Sequence, residues 1–449
     1  MPTATATPNA YKTELNLARY CARVQKANPV MEYGVVDKVV ANTIESHGPN
    51  VPVGSVCWLW HELRRIPVEV IGLTNGKVIS MPLAKFDGIR QGDILEASGF
   101  AANIGMSEDL QGRILDGLGR PIDGKGLPSD LQRQPLYSEP SNPMERDPIR
   151  ETMQTGVRAI DGLITTGLGQ RIGIFGGSGV GKSTLLGMIA RYASADINVI
   201  ALIGERGREV REFIENDLGP EGLKRSIVIV STSDQPALVR LRAAFAATAA
   251  AEYFRDRGLN VMLMMDSVTR FAMAQREVGL AAGEPPSSKG YTPSVFALLP
   301  KLLERTGKFL KGSITAFYTV LVEGDDMNDP IADSVRSILD GHIVLDRELA
   351  SRGHYPCIDI LSSVSRLMSH LVDEDAKNAA YEFRDLLGTH RKSEDLINIG
   401  AYKRGSNQRI DAAIDKYEPM VSFLKQRPET LSTLAETRDG LLELTGGAN

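Results

Sequence analysis

The sequence predicts an α/β protein in three parts: a small N-terminal β-barrel, a central domain on a mostly parallel sheet, and a helical C-terminal domain. Three patterns carry this expectation. From about Met31 to Phe100, short apolar runs are broken by Gly, Pro, Asn and Asp. From Glu151 to Arg366, β-branched runs alternate with helical stretches, and beyond Leu367 no strand pattern is clear. A chain of 449 residues is too long for one small core, so several domains are expected.

Ahead of the barrel an N-terminal arm, residues 1–28, opens with a Thr/Ala/Pro tract and continues with Leu17, Tyr20, Cys21 and Val24 at helical spacing. Lys12, Arg19, Arg23 and Lys26 make this arm basic. It reads either as a solvated arm or as a docking helix for a partner or a membrane surface. Residues 29–100 carry the short strands, among them Gly34–Val40, Val53–Leu59, Val68–Gly72 and Lys77–Met81, with Asn75-Gly76 as a turn. Strands at this spacing build a small antiparallel barrel or sandwich.

The stretch Gly112–Gly124 is dense in Gly, Asp and Pro and reads as a tight linker within a connection over 101–150. The central domain, 101–366 with that linker, holds the apolar runs Arg171–Phe175, Asn198–Ile203, Ser226–Val230 and Asn260–Met265. They look like strands buried on both faces, and with the helical stretch Ala237–Arg257 they predict a parallel sheet. In the last part, 367–449, helices are expected at Asp373–Leu387, Lys392–Ile399, Gln408–Leu424 and Pro428–Leu444.

Composition narrows the function. The apolar share of 42% and charged share of 24% are those of a soluble globular protein. A net charge of -5 argues against a general nucleic-acid binder. Cys21, Cys57 and Cys357 are odd in number and far apart, and no CxxC or HExxH spacing occurs, which argues against a disulfide framework or zinc site and fits a reducing cytoplasm. No apolar run reaches the roughly 20 residues of a membrane span. The N-terminus lacks the basic start and apolar stretch of a secretory signal.

The chemistry is concentrated in Gly176-Gly177-Ser178-Gly179-Val180-Gly181-Lys182-Ser183, a full GxxxxGK[ST] match. It follows the expected strand Ile172–Phe175 and opens the expected helix Thr184–Arg191, the context a phosphate-binding loop requires. Its glycines let successive N–H groups face phosphate oxygens at a helix N-terminus. Lys182 is expected to reach the β- and γ-phosphates and the Ser183 hydroxyl to ligate Mg²⁺. Asp266, at the end of an apolar run, is the expected second Mg²⁺ contact, at the sheet edge where ligands bind. Glu205 emerges after another buried run; by position it is either a candidate base for the attacking water or a surface glutamate.

Taken together, the chain resembles the family of rotary and export ATPases that contains the F1 catalytic subunit, and within it the ATPase of type III protein export in its flagellar version. The segments that carry the resemblance are 176–188, 266–276, 283–296, 319–327 and 358–366. They extend it from about residue 30 to the C-terminal helices. The resemblance implies a RecA-like central domain, ATP and Mg²⁺, and a homo-hexameric ring. It implies that Glu205 polarises the attacking water, that Arg206 contacts the γ-phosphate, that Arg366 is an arginine finger for the neighbouring subunit, and that Tyr355 packs on adenine beside the 176–184 loop, Thr184 included. It also implies a regulator or stator on the N-terminal arm, a coiled-coil stalk in the pore near 283–291, chaperone–substrate complexes as clients, and a cytoplasmic place at the inner face of the membrane, with no nucleic acid.

Glu205 and Arg366 lie on one chain, so a homo-hexamer would build six complete sites. That separates this reading from the catalytic subunit of an ATP synthase, which needs a second kind of subunit. An injectisome ATPase is the other alternative. Cys357, where relatives usually carry a small apolar residue or Ser, is a departure from the family pattern that leaves local packing open.

Overall fold

The computed structural model describes residues 31–85, 88–322, 324 and 326–446, together with positions 17, 20, 21 and 24. Most of the expected N-terminal arm, 1–28, lies outside the described residues.

Six strands close the barrel: β1 Tyr33–Val40, β2 Thr43–His47, β3 Ser55–His61, β4 Arg64–Thr74, β5 Lys77–Pro82 and β6 Ile94–Ala101. Their spatial order is β1-β2-β5-β4-β3-β6, all antiparallel, and β1 pairs back with β6. Alternation explains the closure: Val36, Ile44, Cys57, Leu59, Val68, Val70, Val78 and Leu95 point inward and form one core.

The barrel is clamped to the rest by a polar triad in which Glu69 and Arg242 are buried and Tyr137 reaches the surface. Glu69 of β4 accepts hydrogen bonds from Arg242 Nη1 and the Tyr137 hydroxyl, both at 2.7 Å. Burial pushes the Glu69 carboxyl up, opposed by the Arg242 charge and both hydrogen bonds.

The central sheet has nine strands. Along its main path run Val364–Ser365, Gly341–Val344, Arg171–Gly176, Ser313–Leu321, Asn260–Asp266, Ile197–Ile203, Ser226–Ser231 and Ile114–Asp116. Pairing is parallel except for Val364–Ser365 and the short Gly307–Lys308, each antiparallel to its neighbour. Runs such as Ile197–Ile203 are buried at every position, as a sheet covered on both faces demands. The Gly-rich stretch 112–124 is more than a connection: Ile114–Asp116 pairs with Val228–Val230 and closes one edge of the sheet. Turn residues masked that short strand in the sequence.

The C-terminal helices are Glu374–Asn398, Gln408–Leu424 and Leu434–Thr445. Two of the expected helices are therefore one. Gly388 inside it costs about 1 kcal/mol relative to Ala, while the bridging residues make tertiary contacts: His390 stacks on Tyr417 at 3.6 Å, and Arg391 pairs with Asp359 at 3.1 Å. The last helix starts at Leu434 rather than near Pro428, because Thr433 and Glu436 form a reciprocal capping box there.

Candidate active site

The phosphate loop sits where the sequence places it, between the strand Arg171–Gly176 and the helix Lys182–Tyr192. Gly179 and Gly181 adopt φ of 79° and 81°, a region that L side chains avoid, and this curls the loop over the helix N-terminus. Helix Lys182–Tyr192 approaches the next unit closely at Gly187, where an added Cβ would lie 2.6 Å from the Asp217 carbonyl oxygen. That carbonyl belongs to a π-helical turn, Phe213–Leu218.

A cleft opens at the carboxyl ends of the central strands. Gly177, Ser178, Gly179, Gly181, Lys182, Ser183 and Thr184 line one wall; Glu205, Arg206 and Asp266 line the other. Gly176 and Val180 belong to the loop without lining the cleft: a Cβ on Gly176 would meet Leu345 and Val180, and Val180 is buried in the core. Thr184 also gives a side-chain hydrogen bond to Asp217.

Electrostatically the cleft is poised for an anion. Lys182 is buried and its Nζ has no hydrogen-bond partner, a costly state that a phosphate oxygen would relieve. Burial lowers its pKa, opposed by the Asp266 and Glu205 charges. The Glu205 carboxyl is pushed up to about 7, first by burial, then by the Asp266 charge and by the hydrogen bond with Glu209. Asp266 is buried and accepts a hydrogen bond from Thr319 Oγ1 at 2.6 Å. Arg206 is exposed and pairs loosely with Glu209 at 3.4 Å.

Among the described residues no group of three or more His, Cys, Asp or Glu side chains converges as a metal site. One hydroxyl and one carboxylate, Ser183 and Asp266, are the complement Mg²⁺ takes when phosphates and water supply its other ligands. The donor set fits that ion.

Two expected residues sit elsewhere. Tyr355 is half-exposed and does not line the phosphate cleft; its ring lies against Gly181, 3.6 Å from where a Cβ would stand, beside a second depression formed with Arg158, Ser422 and Lys425. Arg366 follows the edge strand Val364–Ser365 on an exposed surface, and its guanidinium donates to the Arg336 carbonyl at 3.3 Å. It is outside its own chain's cleft.

The sequence reading passed over Arg270 and Arg347, which also line the cleft. Arg270 lies with its stem over Gly204, its buried Nε unpartnered. The available signal was an arginine one helical turn past Asp266.

Comparison with known proteins agrees with the fold. The ATP synthase alpha/beta family, nucleotide-binding domain, matches residues 156–365, and the T3SS EscN ATPase C-terminal domain matches 372–443. The flagellum-specific ATP synthase of Bacillus subtilis is 57% identical over 94% of this chain and 97% of its own. The assembled ATPase EscN from the type III secretion system of enteropathogenic E. coli superposes with a TM-score of 0.88 at 47% identity, covering 92% of this chain and all of that one. EscN in complex with its central stalk EscO gives a TM-score of 0.85 at 46% identity over the same shares.

Proposed function

The chain belongs to the flagellar and type III secretion ATPases of the ATP synthase alpha/beta family, and on that premise we propose how its cleft hydrolyses ATP and what the ring it forms serves. It is an export ATPase, and in this reading it acts as a homo-hexamer, which the assembled form of EscN supports. The flagellar system is favoured by the 57% identity to a flagellum-specific relative. The observation that carries the catalytic reading is the buried Lys182 ammonium without a partner at the mouth of the phosphate loop.

In this reading the loop amides and Lys182 hold the β- and γ-phosphates. Ser183 and Asp266 would hold Mg²⁺, which neutralises charge on the phosphates when bound. Glu205 orients the attacking water and draws on its proton; a carboxyl near 7 is far better matched to that task at neutral pH than an ordinary one. Arg206 and Arg270 face the charge that develops on the transferred group. Tyr355 gives adenine a flat apolar wall beside Gly181. Arg366 completes the cleft of the adjacent copy, so each of six interfaces makes one site.

A coiled-coil stalk in the ring is supported by the EscN–EscO complex. A regulator on residues 1–28 and chaperone-bound clients complete the proposal, and a chain lacking residues 1–25 should lose the regulator. Among the described residues, no helix is long and apolar enough to cross a membrane; the proposed position is peripheral, at the cytoplasmic face of the export gate.

Hydrolysis measured over a wide protein concentration range tests the core of this. Specific activity should rise cooperatively with concentration and collapse in Glu205→Gln and in Arg366→Ala. Mixing the two variants should restore part of it, because some interfaces then pair an intact Glu205 with an intact Arg366. Flat activity, or no recovery on mixing, would remove the shared-site reading.

A further inference from the structure

The strand Ser313–Leu321 lies between the phosphate-loop strand and the strand that ends in Asp266. Thr319 on this strand is fully buried and stands beside Ile174 in register. Its Oγ1 is 2.6 Å from Asp266 Oδ1 and 3.2 Å from the Met265 carbonyl. A hydroxyl has one proton to give, and the shorter, charge-assisted contact takes it.

That hydroxyl is not needed to hold the backbone. The two strands are already joined by a parallel ladder from Asn260–Ser313 to Met265–Tyr318. The corner after Asp266 has its own tie, since Thr269 Oγ1 accepts the Leu321 N–H at 2.8 Å. A buried strand asks only for a β-branched side chain at 319, which Val would supply as well. What Thr adds is a proton donor aimed at one oxygen of a carboxylate that lines the phosphate cleft.

We propose that Thr319 is a positioning residue: its hydroxyl locks Asp266 in the orientation that meets the magnesium–nucleotide complex. The inference rests on the assignment of Asp266 to the metal side of the site. Groups that orient a metal-side ligand typically change metal affinity or activity by roughly 10- to 100-fold when removed.

The test is nucleotide binding rather than turnover. A fluorescent ADP analogue is titrated against the full chain in EDTA and again over a range of Mg²⁺, for native protein, Thr319→Val, Thr319→Ser and Asp266→Asn, with the thermal midpoint of each apoprotein. Thr319→Val should bind the analogue in EDTA within about twofold of native. Its Mg²⁺ midpoint should rise roughly 10- to 100-fold, and Thr319→Ser should restore it. If Thr319→Val does not fold, Thr319→Ala is read in the same titration. A native Mg²⁺ response in Thr319→Val, while Asp266→Asn has lost its own, overturns the role of Thr319 and leaves the metal assignment standing. A native response in Asp266→Asn overturns that assignment, and the inference with it. Loss of metal-free binding that Thr319→Ser fails to rescue would make the residue a packing element only.

Discussion

Replacing Glu205 by Gln should slow hydrolysis severely and yet stabilise the protein, and the size of the gain follows from the site. Burial and the Asp266 charge raise the Glu205 carboxyl from 4.5 to about 7. At 1.36 kcal/mol per pH unit that corresponds to about 3.4 kcal/mol. The group is half-buried, so water screens a large part, and about half, ~1.7 kcal/mol, is the reasonable expectation. Below 4.5 the carboxyl is protonated in both folded and unfolded chains, and its full contribution to stability is present. Between 4.5 and about 7 the unfolded chain releases the proton while the folded one keeps it, so native stability falls; above about 7 the penalty is constant. Gln carries no such penalty. Unfolding of nucleotide-free chains by urea should therefore favour Glu205→Gln by ~1.7 kcal/mol at pH 8.5, with the advantage shrinking as pH falls toward 4.5. Hydrolysis should fall by roughly 10²- to 10⁴-fold, the usual range for a lost acid–base group. A variant less stable than native at pH 8.5, or one whose advantage is independent of pH, would refute the electrostatic account of Glu205.

Other changes test other parts of the fold. Arg366→Ala should lower kcat by roughly 10³- to 10⁵-fold while the dilute, unassembled chain binds nucleotide as before, because the guanidinium is outside its own cleft; equilibrium binding beside single-turnover kinetics reads both. Arg242→Met should cost about 3–5 kcal/mol by leaving Glu69 buried without its cation. Adding Glu69→Gln should recover part of that in denaturant titration. Gly187→Ala should destabilise by about 1–3 kcal/mol despite the better helix former, since the new methyl meets the Asp217 carbonyl at 2.6 Å and backbone cannot yield as a side chain can; the thermal midpoint is the check.

What could be read in the sequence was what is local along the chain. The phosphate loop is eight contiguous residues between a strand and a helix, so its chemistry and its context are both in one window. The barrel strands betray themselves by alternation, and Ile197–Ile203 by uninterrupted apolarity. Long-range partners were not readable. Arg270 and Thr319 matter because parallel strands bring residues 204, 266 and 319 to one sheet edge, and spacing along the chain does not encode that. Ile114–Asp116 was hidden by surrounding turn residues, since a three-residue edge strand is set by its partner rather than by its own pattern. Arg366 is an exposed arginine in its own chain, so its assignment depends on family resemblance and on assembly.

One short run of chain ties the nucleotide cleft to the helical domain. Arg347 lines the cleft, and the Tyr355 ring lies against Gly181. Two residues later, the Cys357 thiol donates to the Val180 carbonyl at 2.7 Å. The departure from the family pattern at 357 is thus a buried hydrogen-bond donor on the phosphate loop. On its other side the same run grips the C-terminal helices: Asp359 holds Arg391, and the Tyr355 carbonyl accepts the Gln426 N–H at 3.0 Å. Residues 347–359 are therefore fixed to the loop at 180–181 and to the helical domain at 391 and 426. A shift of the loop that preserves these bonds has to displace the run, and with it the helices. Communication between the phosphate loop and the helical domain requires no separate device, because the residues that touch the loop are the ones that anchor the helices.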